Sequence, residues 1–380
     1  MTPVIKRAVI IGGGIGGLCA AIAMHRIGID AVVYEQAPQL NAVGAVLVMW
    51  PNAIRALRYL GVADAVLEAG GRIERGEIRT SAGTPLSEWN FAALEQRFGE
   101  AAVPIHRADL QEILVSALPE GALYLNSRCT GVDGARVSFA GGRKESADLV
   151  VGVDGIHSTL RQWLFPTSAL RYSGYSAWRA VVATQDKTAL GQSAESWGCG
   201  SRFGMARIDE QRIYWFATAN VPEGLSQTAA ERKNFLRQRF GDWHSPIGHL
   251  LDATPADEIL HNDIYDMAPL RCWSNERVVL LGDAAQPTTP NMGQGHAMAI
   301  ESAVTLSRCL AEEISLSAAL TRYESERMPR TAWIAGHSHR IGRIGQLENP
   351  LACALRNFFV KITPAKLTTN WLAKAFSYKV

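Results

Sequence analysis

Ala8-Val9-Ile10-Ile11-Gly12-Gly13-Gly14-Ile15-Gly16-Gly17 is the stretch from which the fold can be read. Ile5 to Ile11 has strand character and runs straight into a glycine-rich turn. From Ile15 to about Ile27 the chain reads as a helix, with Gly28 placed to stop it. Ala31-Val32-Val33-Tyr34 reads as a second strand closing on Glu35. A β-α-β unit of this kind joins parallel strands. Within it, the three glycines of Gly12-x-Gly14-x-x-Gly17 serve a tight turn, close approach of backbone to a pyrophosphate, and close packing of helix on strand. The start of the helix at Ile15 presents unpaired N–H groups and partial positive charge to phosphates. Glu35, 21 residues after Gly14 and followed by Gln36, is placed to accept hydrogen bonds from ribose hydroxyls.

Further along, Asp109 to Leu118 reads as a helix, and Ala147 to Val153 as a buried strand ending in Asp154-Gly155. Segment 171–220 changes character. Trp178 to Val182, Arg202 to Ala206 and Arg212 to Ala217 are aromatic, β-prone runs separated by turn residues, as in a mainly antiparallel sheet. Arg277 to Leu281 is another apolar strand, and it delivers Gly282-Asp283 and then Pro290 to Gly293-Gln294-Gly295. No Gly or Pro follows until Pro329, which predicts one long helix with Ile300, Ala303, Val304, Leu310 and Ile314 as its apolar stripe. The expected fold is α/β. A discontinuous Rossmann-like domain (1–71, 101–170, 271–345) holds an inserted, mainly antiparallel β domain (72–100, 171–270), and a helical tail follows (346–380). The tail carries Phe358, Phe359, Trp371 and Phe376 and reads as an amphipathic helix covering the body.

Of the 380 residues, 47% are hydrophobic, enough for a large core or two packed units. Lys and Arg number 38 against 36 Asp and Glu, a balance that gives no reason to expect nucleic acid or an anionic membrane as partner. The six cysteines are scattered without a CxxC pair, so reduced thiols in a cytoplasmic protein are expected, with neither disulfide framework nor zinc site. Lys6 and Arg7 before an apolar run imitate a signal peptide, but the glycines break the run, and no apolar stretch is long enough to span a bilayer. His337-x-His339 is the nearest approach to a metal pair. It lacks further ligands, so no metal is expected.

The first glycine motif alone does not separate FAD from NAD. The distant segments favour flavin. The Asp283 carboxylate can take hydrogen bonds from ribityl hydroxyls, and the helix opened by Gly293-Gln294-Gly295 can aim N–H groups at the pyrimidine edge, where charge collects on reduction.

In these residues the chain resembles the class A flavoprotein monooxygenases of the para-hydroxybenzoate hydroxylase fold. The resemblance is carried by Gly12-x-Gly14-x-x-Gly17 with Glu35, by Asp154-Gly155 through Arg161, and by Gly282-Asp283 through Gly295. Arg107 matches the family arginine that reaches the FAD, and Gly44-Ala45-Val46 with Pro51-Asn52 match a loop near the flavin. The chain is most similar to the short branch with urate, alkylquinolone and salicylate hydroxylases. Gln286 departs from a common His, and Ala297 and Ser302 from common Asn and Asp.

The resemblance implies tightly bound, non-covalent FAD, with NAD(P)H as a transient reductant. Oxygen transfer from a flavin C4a-hydroperoxide would hydroxylate an aromatic or heteroaromatic small molecule, in a monomer or homodimer. Such chemistry rests on exclusion of water and on positioning rather than on a protein nucleophile. The resemblance places Arg202 and Tyr214 facing the substrate, Arg202 as holder of an anionic form. Trp178, Arg179, Trp215 and Pro290 are further substrate candidates, and of Trp178 and Arg179 at most one should face the pocket because they alternate on a strand. Epoxidation or antibiotic modification on the same scaffold, and a non-oxygenating flavoprotein, are the alternatives.

Overall fold

The computed structural model describes residues 3–40, 46–184, 191–364 and 372–378. Gly44, Ala45 and Trp371 lie outside the described residues. A six-stranded sheet runs in the order Ser274–Asn275, Val278–Leu280, Leu149–Gly152, Arg7–Ile11, Asp30–Tyr34, Leu123–Tyr124, parallel except at the Ser274–Asn275 edge. Both faces of such a sheet are covered, so its strands are apolar along their length; Ala8, Val9, Ile10, Val33, Val150 and Val151 are fully buried. Helices Ile15–Arg26 and Gly295–Glu312 pack together, and Ser307 Oγ donates to Ala23 O at 2.8 Å between them. A three-stranded antiparallel sheet, Cys129–Asp133, Arg136–Phe139 and Lys144–Ser146, sits between the helix Arg107–Ser116 and the strand Leu149–Gly152 in sequence.

A seven-stranded sheet runs Leu260–Met267, Leu170–Ala183, Arg212–Ala219, Ser201–Arg207, Gln192–Trp197, Arg75–Thr80, Pro85–Asn90. Only the Gln192–Trp197 and Arg75–Thr80 pair is parallel. Alternation along these strands sends Trp178, Ala180, Phe203, Ile213, Trp215 and Ala217 to one face, where helices Ala229–Phe240 and Ile247–Ala253 close a second core. Register places Arg202, Ala177 and Thr218 side by side on the opposite face, followed by Gly204, Arg179 and Phe216, then Ala206, Val181 and Tyr214.

The single helix expected after Gly295 is two helices, Gly295–Glu312 and Leu316–Gly345. Ser315 explains the break: its Oγ accepts the Ala318 N–H at 3.2 Å and caps the second helix. Ile314 falls in the break and is 96% exposed, so the apolar stripe does not include it. Pro329 lies inside the second helix instead of ending it. The tail also differs from a simple covering helix. Phe376 is buried, yet Phe358 and Phe359 on helix Pro350–Ile362 face outward. No helix among the described residues is long and apolar enough to cross a membrane.

Candidate active site

The turn after strand Arg7–Ile11 is built by three different glycine environments. Gly12 has φ +113° and a Cβ there would lie 2.3 Å from Val153 O, so a side chain is excluded by both strain and space. A Cβ on Gly17 would lie 1.9 Å from Gly12 O, whereas one on Gly14 would meet nothing within 4 Å. The turn is thus closed on the sheet side and open at Gly14, in front of a helix whose first N–H groups have no side-chain cap. Glu35 braces the turn: Oε2 accepts the Gly13 N–H at 2.7 Å and Oε1 the Ala37 N–H at 2.8 Å. Gln111 Nε2 donates to Gly13 O at 3.2 Å. Ile15 is buried and Gln36 exposed.

The second and third motifs meet through Arg161. Its guanidinium is buried and donates to the carbonyls of Asp283 and Ala284, each at 3.1 Å, and to Ile156 O. Arg161 therefore fixes the spacing between the Asp154-Gly155 and Gly282-Asp283 turns. Asp154 caps helix Thr159–Leu164, accepting from Thr159 N at 2.7 Å, Leu160 N at 3.1 Å and the Ser158 hydroxyl. Asp283 is exposed at its tip yet ringed by protein, and that crowding pushes its carboxyl up to about 6, with Arg107 and Arg161 pulling back. His296 is pushed down to about 4 by the same crowding, while its Nε2 meets Val48 O at 2.9 Å. Arg107 is exposed and acts electrostatically on both groups, so the structure brings Arg107, Asp283 and His296 near one another. His296 is not among the residues that the sequence singled out.

The loop Pro290–Met292, with Gly293 at φ +58°, leads into helix Gly295–Glu312. Pro290 is exposed and Gln294 buried, Gln294 Oε1 accepting from Asn52 Nδ2 at 2.9 Å. Asn52 also donates to Glu301 at 2.7 Å. Glu301 is fully buried and pairs with Arg327 at 2.8 Å and Arg330 at 2.7 Å. Burial alone raises its carboxyl, but the two guanidinium groups and Asn52 outweigh that and hold it low. Arg330 further donates to Ala375 O at 2.8 Å, and both arginines lie under the Tyr378 ring, at 4.7 Å for Arg327 and 4.5 Å for Arg330. Sequence reading missed this cluster.

On the sheet, Arg202 is 3% exposed. Its Nε donates to Gln346 at 2.9 Å, Nη1 to Glu195 at 3.0 Å and Nη2 to Asn291 at 2.6 Å. Asn291 in turn donates to the Tyr175 hydroxyl at 3.0 Å, Thr289 Oγ1 at 2.8 Å and Ser338 O at 2.9 Å. Arg202 thus ties the sheet to the Pro290–Met292 loop and does not stand free. Tyr214 is half-buried, and crowding raises its phenol above the usual value against the pull of Arg179. Phe216 lies beside it, with ring centroids 6.3 Å apart, and Gly204 makes the space: a Cβ there would sit 2.0 Å from the Phe216 ring. Trp178 and Trp215 are removed from this face. Trp178 stacks on His261 at 4.6 Å and Trp215 Nε1 donates to Thr254 Oγ1 at 2.9 Å, both inside the second core. Their substrate assignment fails because strand alternation turns them away. His339 pairs with Asp266 at 2.8 Å, and no group of three potential metal ligands occurs among the described residues.

An open glycine, uncapped helix N–H groups and a basic residue beside a carboxylate fit an extended dinucleotide. The FAD binding domain family matches residues 6–336. The chain belongs to that family. Aurachin C monooxygenase/isomerase of Stigmatella aurantiaca is 43% identical over 357 residues, 93% of each chain. FAD-dependent urate hydroxylase of Klebsiella pneumoniae is 33% identical over 331 residues, 85% of this chain and 86% of that one. Klebsiella pneumoniae HpxO crystallised with FAD and uric acid superposes with a TM-score of 0.91 at 28% identity, covering 98% of this chain and 97% of that one. The protein is a class A FAD-dependent monooxygenase using NAD(P)H and O2. When bound, FAD supplies the redox chemistry of the monooxygenase by accepting hydride from NAD(P)H and activating O2. This chain binds it through its FAD binding domain.

Proposed function

We propose that this monooxygenase hydroxylates a neutral, mainly apolar heteroaromatic molecule, closer in character to the substrate of the aurachin C relative than to urate. The observation that carries this reading is Arg202. Its guanidinium is turned inward onto Glu195, Gln346 and Asn291, so its charge is balanced within the protein and is not offered to an anion. Around it, Tyr175, Ala177, Val181, Tyr214 and Phe216 give a mainly aromatic and aliphatic face, with Arg179 as the charged side chain among them. The Tyr214 phenol, with its pKa raised, stays protonated at neutral pH and can donate a hydrogen bond to a ring oxygen or carbonyl of the substrate. In this reading Arg202 is a positioning residue for the Pro290–Met292 loop, and Arg179 stands within the substrate face, opposite Phe216 and between Ala177 and Val181.

For the cofactor, the reading assigns the phosphates to Gly12, Gly14, Ile15 and Gly17, and the adenosine end to Glu35, Gln36 and Arg107. The ribityl chain falls to Asp283 with Gly155 and Gly282. The ring edge falls to Pro290, Gly293, Gln294 and Gly295, while Asp154 and Arg161 brace these turns. An enzyme drawing on NAD(P)H fits a cytoplasmic location.

The test is oxygen uptake by the FAD-loaded enzyme with NADH or NADPH. The probes are neutral N-heteroaromatics bearing apolar substituents, with urate alongside. Substrate-stimulated uptake without matching peroxide, and a product heavier by one oxygen atom, are expected from the neutral ring. Urate as the best-coupled substrate would overturn the neutral-ring reading. Electron transfer to another acceptor with no oxygen uptake would overturn hydroxylation.

A further inference from the structure

Ten large apolar side chains are exposed among the described residues, and five of them stand on one helix, Pro350–Ile362. Leu351, Leu355, Phe358, Phe359 and Ile362 are 55% to 81% exposed. Their spacing puts them on a single stripe. The opposite side holds the helix to the body. Cys353 and Arg356 are buried there, and Val360 packs toward Ile78, Leu86 and Trp197. Arg356 donates to the carbonyls of Gly345 and Gly198, both at 3.0 Å, and lies 5.2 Å from the Trp197 ring. The helix is therefore anchored by an arginine and small residues and turns its apolar stripe outward, the reverse of an ordinary surface helix.

Charge is also divided along the sequence. Residues 349–380 contain Arg356, Lys361, Lys366, Lys374 and Lys379 and no Asp or Glu. With 38 basic and 36 acidic residues in all, the last 32 residues carry +5 and the first 348 carry −3. The near-neutral total hides this division.

We propose that the outward face of helix Pro350–Ile362 docks on an anionic lipid bilayer, with the helix lying in the interfacial plane, Phe358 and Phe359 entering the acyl boundary and Lys361 at the headgroups. Thirteen residues are too few to span a bilayer, but an apolar stripe with an exposed lysine, Lys361, at its end suits an interfacial helix. Charge favours lipid over a second copy of the chain. Two copies meeting through this face would bring their exposed Lys361 side chains, each in a segment that holds no acid, toward each other, whereas anionic headgroups attract the same charge.

The test is density-gradient flotation of the full FAD-loaded chain with two kinds of vesicle: phosphatidylcholine alone, and equal parts phosphatidylcholine and phosphatidylglycerol. The protein should float with the anionic vesicles and at least ~10-fold less with the neutral ones, and high salt should release it. Phe358→Ser/Phe359→Ser, and separately Lys361→Glu, should each reduce flotation while retaining bound FAD and NADH oxidation. Wild type remaining unbound with both vesicles, equal binding to both, or unchanged flotation of the double variant would overturn the proposal. So would a lipid-free dimer in sedimentation velocity that the double variant dissociates. The readout needs no turnover and is independent of which ring the enzyme oxidises.

Discussion

At Gly12–Gly17 the working groups are backbone N–H groups and empty space; on the sheet around Arg202 and Tyr214 they are side chains held in a shared network. The first region is specified by what is missing. A methyl group on Gly17 would strike Gly12 O, and nothing bars the approach at Gly14. The second is specified by partners far apart in sequence: Arg202 with Asn291 and Gln346, and Gly204 with Phe216. A backbone site is encoded where it stands, while a side-chain site is encoded wherever its partners happen to lie.

The hardest blow to this contrast is one that strikes the groups behind both loops. Glu301→Ala leaves Arg327 and Arg330 buried without their carboxylate and removes an anchor of Asn52. A loss of ~3–5 kcal/mol in unfolding free energy is expected, read by urea denaturation. Gly17→Ala comes next. The overpacked turn should cost about 1–3 kcal/mol, seen as weaker FAD retention by absorbance after gel filtration, with the second core and its helices unaffected in circular dichroism.

Arg202→Ala should lower kcat/KM about 10- to 100-fold by freeing Asn291 and the loop it holds, consistent with loss of hydrogen bonds to a charged group. Little change in KM for a neutral substrate, beside a large fall in kcat, separates positioning from direct binding. A rise in KM alone would instead favour direct contact. Tyr214→Phe should raise KM several-fold, about the worth of one hydrogen bond, and increase peroxide release in a coupled assay.

The gentlest probe is pH. Asp283 is raised to about 6 in the fold, so between its ordinary range and pH 6 the folded state holds the extra proton, and stability falls as pH rises through that window. His296, lowered to about 4, acts oppositely: the unfolded chain holds the extra proton between about 4 and 6.5, and stability rises with pH. In the apoprotein the two slopes offset. Asp283→Asn should leave a Tm that climbs from pH 4 to 6.5, and His296→Gln one that declines.

The same contrast explains what the sequence disclosed. The parallel sheet, its glycine turn and the return of the chain through Val278–Leu280 were legible because apolar runs and glycines report locally on burial and turn geometry. Trp178 and Trp215 misled because a one-residue step on a strand changes which core a side chain enters. Glu301, Arg327 and Arg330 carried no local signal, since the ion pairs join two helices. The break at Ile314 was marked only by Ser315, whose capping role competes with an apolar period that Ile314 continues. The even overall charge concealed the basic tail because a sum carries no position.

The clasp at Tyr378 has a practical side. Residues 372–378 return to the body, where Phe376 stacks on Trp50 at 5.0 Å and Tyr378 covers both arginines that hold Glu301. Trp50 directly precedes the helix bearing Asn52, whose amide reaches Gln294. A peptide appended beyond this clasp, or a protease nick just before it, therefore acts on the flavin-side helix from behind. Purification tags placed there should be judged by flavin content and not by yield.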